Sequence, residues 1–302
     1  PARAFMVMQH RQAGVAAGTI KSPGFLNGIH LSKALLPAND PGLRYATPKS
    51  IGSLSLADVK AYYKQTFRPD MTTIVVIGDV TPDQARKVVE ANFGSWKAAG
   101  SKPDVDYPAV PLNKPGQFHT PDSSAVQDSV TLSEMIQLTE NSSDRYAVTL
   151  GNDILGGGFG SVLMRDLRIK GGLVYGVSSG TSLDKHRGRF SVSYGSDPDK
   201  VGKARAMVIR DIKQMQATPV DADALHAAKG KILRQLQLGQ SSFGAIAGSL
   251  LSLSEQGKPL DSNEIAAHKY YDMTADQIQA AFKKYLRADG FVTAVKGPVP
   301  KG

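Results

Sequence analysis

One stretch of this chain occurs twice, without a gap, 219 positions apart. LSLADVKAYYKQTFRPDMTTIVVIGDV, from Leu54, lies over MTADQIQAAFKKYLRADGFVTAVKGPV, from Met273. Ser55 falls on Thr274, Val59 on Ile278, Phe67 on Leu286, Arg68 on Arg287, Asp70 on Asp289, Gly78 on Gly297 and Val80 on Val299. Each copy reads as a capping box, an amphipathic helix and then a strand. Ser55 with Asp58 caps the first helix and Thr274 with Gln277 the second. Val59, Tyr62, Tyr63 and Phe67 form one apolar face; Ile278, Ala281, Phe282 and Leu286 form the other. Chance explains a match or two but not this register, so a domain-sized unit is present twice.

The spacing sets the domain organisation. KAAGSKPDVDYPAVPLNKPG, Lys97 to Gly116, has the proline-rich, polar composition of an extended crossing chain. The second copy begins just past it, near Lys114, and the first would then begin well before Pro1. The expectation is therefore the second half of a truncated domain over 1–98, a linker over 99–113, and a complete domain over 114–302. The chain opens without Met and without a visible signal peptide, which reads as a cut.

Within this frame, Thr72 to Ile77 (TTIVVI), Val126 to Leu132, 189–195 and Phe291 to Val295 are expected strands. Helices are expected behind Thr81–Pro82, from Asp197–Pro198, near Asp221 and over 243–256. The most distinctive run is LGGGFGSVLMRDLRIKGGLVYGVSSG, Leu155 to Gly180. Ser143 can cap a helix carrying Tyr146, Leu150 and Ile154, which Gly156, Gly157 and Gly158 end. A second short helix follows, with Val162, Leu163 and Leu167. Gly171 and Gly172 break it, and a strand starts at Leu173. Arg168 thus sits at a helix end, seven positions before Tyr175 on a strand. A cation and a phenol held on rigid elements can grip a peptide carbonyl or an oxyanion. The dinucleotide fingerprint fits less well, since it needs glycine where Ser161 stands.

Composition removes several classes. There is no cysteine among the 302 residues, so thiolate chemistry, disulfides and cysteine zinc sites are out. The net charge of +9 is spread without basic runs or interleaved aromatics, which argues against nucleic acid as partner. No apolar run approaches the roughly 20 residues of a membrane span. The histidines, His10, His30, His119, His186, His226 and His268, include no pair four apart and no H-x-x-E-H or H-E-x-x-H. No G-x-S-x-G elbow is present either.

The run containing Gly156, Gly157, Gly158, Ser161, Leu163, Arg168 and Tyr175 resembles the carboxy-terminal domain of the pitrilysin and insulin-degrading-enzyme family of zinc metallopeptidases (inverzincins). The resemblance extends through RPDMTTIVVIGDV, NFGSW and the linker to nearly the whole chain. It implies an α+β fold of two homologous domains, each an antiparallel sheet backed by helices, the first of them truncated here. It implies that Arg168 and Tyr175 bind peptide substrate across a closed chamber. Zinc and its general base would lie in an N-terminal catalytic half or a homologous subunit, with no zinc bound to this chain. It also implies a periplasmic or secreted protein of the bacterial cell envelope. Two functions remain open: the non-metal half of a zinc metallopeptidase, or a catalytically inactive partner or scaffold subunit of the same fold. An unrelated α+β binding protein is a weaker third.

Overall fold

A five-stranded sheet forms around the second copy of the repeat. The structure, a computed structural model, describes residues 1–298; the Val80–Val299 pairing therefore falls outside the described residues. The strands are β1 (Gly116–Pro121), β2 (Asp128–Ile136), β3 (Val174–Leu183), β4 (Gly188–Ser196) and β5 (Val292–Gly297), in the order β1-β5-β2-β4-β3. β1 runs parallel to β5, and the other neighbouring pairs are antiparallel. The repeat's strand, β5, thus lies inside the sheet, and β3 forms one of its edges.

The chain divides into two compact units. One comprises Pro1–Val15, Ala46–Val105 and Leu233–His268; the other comprises Ala16–Tyr45, Asp106–Ile232 and Lys269–Gly302. Helix α1 spans Ala2–Thr19 and α2 spans Pro23–Leu35. α2 belongs with the sheet because Leu31 and Leu35 pack against Met135, Val292 and Phe118. Burying such side chains stabilises by about 1.5–3 kcal/mol each.

In the first unit, α3 (Pro48–Gly52), α4 (Leu56–Thr66) and α5 (Pro82–Phe93) carry capping boxes at Thr47, Ser55 and Thr81; Ser55 and Thr81 are the caps expected from the sequence, and Thr47 is a further one. Thr72 to Ile77 was expected as a strand and is not one: it pairs with no strand among the described residues. Ile74 and Val76 stay about half exposed. An apolar run becomes a strand only where a partner takes its backbone hydrogen bonds.

The second unit continues through α6 (Arg145–Gly156), a π-helical turn at Met164–Lys170, α7 (Val201–Ala217) and the first part of α8 (Ala222–Leu238), up to Ile232. Helix α9 (Phe243–Glu255) lies in the first unit, and α10 (Ser262–Asp272) precedes the repeat helix α11 (Ala275–Tyr285). Ser143 is not the cap of α6. Asp144 occupies that position, and its carboxylate is held instead by Lys284 and Tyr285, each at 2.8 Å. Sequence patterning did not single out β1 or α10.

The two copies of the repeat differ in what covers them. Ile278, Ala281, Phe282 and Leu286 are buried, Ile278 and Phe282 completely. Their counterparts Val59, Tyr62, Tyr63 and Phe67 are 44%, 66%, 60% and 58% exposed. The α11 face meets α6 so closely that a Cβ on Gly151 would come within 2.7 Å of Ile278 and closer still to Phe282. The paired arginines also share a task. Arg68 forks onto Asp70 (2.8 and 2.7 Å) and donates to the carbonyls of Ala99, Gly100 and Ser101. Arg287 donates to the Asn113 carbonyl and side chain and pairs with the fully buried Glu134 at 3.2 Å. Each arginine tethers irregular chain to its own copy of the module.

Candidate functional site

The glycine-rich run positions the site from three directions. α6 buries Tyr146, Leu150, Ile154 and Leu155 and ends against β3. Gly156 makes that approach possible, since a Cβ there would lie 2.6 Å from the Ser179 backbone nitrogen. Lys231 on α8 donates to the Gly157 carbonyl at 2.6 Å and to Asp153, placing a cation at the negative end of α6.

The next element is a π-helix rather than an ordinary helical turn. Its i→i+5 pattern is rare and is associated with functional sites. Leu163, Met164 and Leu167 face the core, while Arg165 and Arg168 remain exposed. The turn is anchored to α7 by Asp166, which pairs with Arg210 at 2.7 Å. Arg210 also holds Asp211, whose carboxyl burial pushes its pKa up even against that arginine. Burial acts the same way on Asp166, but Arg165, Lys170 and Arg210 together outweigh it and hold its carboxyl low. The turn closes at Gly172, whose φ of +57° is a left-handed conformation that favours glycine. There the Leu173 N–H donates to Leu167 and the Gly172 N–H to Arg168.

β3 then begins with an irregularity. Val174 pairs with Ser196 and Gly176 with Gly195, leaving Tyr175 between them as a bulge, 76% exposed. Bulges re-aim side chains near strand ends. As a result, Arg168 and Tyr175 line one cleft of about 270 Å³, together with Gln127, Asp197 and Lys200. The Arg168 guanidinium sits over the Phe159 ring at 5.6 Å, a cation–π contact. The cleft therefore presents five guanidinium N–H donors and a phenolic O–H, a donor set matched to carbonyl and oxyanion oxygens. The edge of β3 beyond Tyr175 pairs with no further strand among the described residues.

The structure brings the two sequence-predicted residues, Arg168 and Tyr175, to the same cleft. Phe159, Gln127 and Lys200 were not singled out, and Asp197 read only as a helix start. The histidines do not converge: His30 packs edge-on against Phe118, and His119 lies 4.0 Å from Asp128. Among the described residues, no three His, Cys, Asp or Glu side chains come together to hold a metal. No helix among the described residues is long and apolar enough to cross a membrane.

Comparison with known proteins bears on family and fold. Residues 53–232 match the family described as Peptidase M16 inactive domain. The zinc protease YmxG of Bacillus subtilis, itself uncharacterized, is 24% identical over 78% of this chain and 54% of its own length. A Helicobacter pylori protein called a non-peptidase homolog is 23% identical over 87% of this chain and 61% of its own. The chain thus spans little more than half the length of these relatives. A peptidase M16 inactive domain from Pseudomonas fluorescens superposes with a TM-score of 0.87 at 24% identity, covering 99% of this chain and 72% of that one. The periplasmic protease PqqL of Escherichia coli gives 0.84 at 18% identity, covering 99% of this chain and 33% of that one. The resemblance to the pitrilysin family and the α+β fold are both borne out. This match spans more than half of the residues, and the chain belongs to the peptidase M16 family, as its inactive domain.

Proposed function

We propose that this chain is the non-metal half of a clamshell chamber in a zinc metallopeptidase-like protein. In this reading Arg168 and Tyr175 bind peptide substrate, and zinc and its general base belong to an N-terminal half outside this sequence. The observation that carries the reading is the convergence of Arg168 and Tyr175 on one cleft at the start of an edge strand. An extended peptide on β3 pairs backbone to backbone, which is indifferent to most side chains. It would pass the cleft where the guanidinium and phenol can hold one of its carbonyl oxygens.

The exposed face of α4 supports the second part. Its buried counterpart on α11 is covered by α6 and α7, elements with no equivalent in residues 46–105. A half-domain resembling 114–217 would cover it, giving a domain boundary near 98 and a linker over 99–113. The likeness to a periplasmic protease supports a place in the bacterial cell envelope. The test uses the complete protein. Arg168→Ala and Tyr175→Phe should each lower peptide turnover while zinc content stays unchanged. Full turnover in both variants refutes the assignment.

The Helicobacter relative's name supports a second reading, in which the complete protein is an inactive partner or scaffold. In that case the same variants lose peptide binding and there is no turnover to lose.

A further inference from the structure

The cleft of Arg168 and Tyr175 holds a second cation. Lys200 stands at the start of α7, its Nζ 2.8 Å from Asp197 Oδ2. The other oxygen of that carboxylate accepts from Gln127 Nε2 at 3.0 Å. Asp197 is therefore engaged on both sides, and among the residues lining the cleft it is the one carboxylate beside two cations. The Lys200 side chain is 39% exposed, and its ammonium has three N–H donors, of which Asp197 takes one. The positive end of the 17-residue α7 begins beside it. The hydrogen bond from Asp197 raises the pKa of Lys200, so the ammonium stays charged, and Lys200 lines the same cleft as the phenol.

We propose that Lys200 is a specificity-determining residue: the cleft selects peptides with a carboxylate side chain next to the carbonyl held by Arg168 and Tyr175. The proposal rests on the reading of that pair as a peptide grip. A peptide that runs on along β3 presents an internal residue to Lys200, so the carboxylate expected is that of Asp or Glu. A free C-terminus has the same chemistry and is separated by the test.

The test measures binding of otherwise identical peptides to the complete protein by fluorescence anisotropy, three for the unmodified protein and a fourth, bearing Lys, for the charge-reversed variant. One carries Glu and an amidated end, one Gln and an amidated end, and one Gln and a free carboxylate. The Glu peptide should bind about fivefold tighter than the amidated Gln peptide, the upper range for a half-exposed ion pair. High salt should erase the preference. Lys200→Met should abolish it, and Lys200→Glu should reverse it in favour of a Lys-bearing peptide. Equal binding of the Glu and Gln peptides overturns the proposal, as does a preference for the free C-terminus alone. Arg168→Ala separates the two levels. If it weakens the Glu and amidated Gln peptides alike while they bind equally to the unmodified protein, only the role of Lys200 falls. If it weakens neither, the peptide grip itself falls.

Discussion

Truncating the same position in each copy of the repeat, Phe282→Ala and Tyr63→Ala, should have very different consequences. Phe282 has no exposed surface and lies against Gly151 with no space for even a Cβ between them. Its loss leaves a cavity between two close helices that cannot collapse. Such Phe→Ala changes cost about 3–5 kcal/mol. Tyr63 is 60% exposed, and its main contact is a stacked ring, Phe67, at 4.4 Å. That stack is worth about 0.5–1.5 kcal/mol, so Tyr63→Ala in this chain should cost about 1 kcal/mol or less. Because two units need not unfold together, the assay is amide hydrogen exchange read separately for α4 and α11. Phe282→Ala should strip most of the protection from α11, and Tyr63→Ala should leave α4 nearly unchanged. If a half-domain covers α4 in a longer protein, as proposed, the cost of Tyr63→Ala there should rise towards that of Phe282→Ala. Equal costs in the 302-residue chain would refute the claim that one copy is packed and the other open.

Two further outcomes follow from buried groups. Burial pushes the Glu134 pKa up to about 7, against the Arg287 backbone N–H and guanidinium that favour its charged form. The folded state then holds a proton that the unfolded state gives up near its ordinary value. This contribution to stability is lost as pH rises from about 4.5 to 7, by up to about 3 kcal/mol. Urea midpoints of Glu134→Gln should therefore gain on the unmodified chain between pH 5 and 8, and a constant difference would contradict the assignment. Gly156→Ala should lower the melting temperature by overpacking α6 against Ser179, at a cost of about 1–3 kcal/mol. Gly160→Ala, which meets nothing within 4 Å, should be near neutral.

What the sequence made legible were features fixed by local chemistry. The boxes at Ser55, Thr81 and Thr274 cap their helices, and Ala204, Val208, Ile212 and Met215 form the buried face of α7. The glycine-rich run ends α6 and places Arg168 and Tyr175 on adjoining elements. What it could not show depended on partners distant in the chain. TTIVVI has every property of a strand except, among the described residues, a neighbour to pair with. Ser143 lost the cap of α6 to Asp144, one residue on. The bulge at Tyr175 and the π-turn under Arg168 follow from pairing register and from packing on α7. Lys200 reaches the cleft only through the β4–α7 turn.

The most direct measurement is a double-mutant cycle on kcat/KM for peptide hydrolysis by the complete protein, using Arg168→Ala, Tyr175→Phe and the pair together. If guanidinium and phenol hold the same oxygen, each single change costs about tenfold or more, and the double change costs clearly less than the product, since either loss already releases the grip. Purely multiplicative losses, or no loss from either single change, would contradict a shared grip on the substrate.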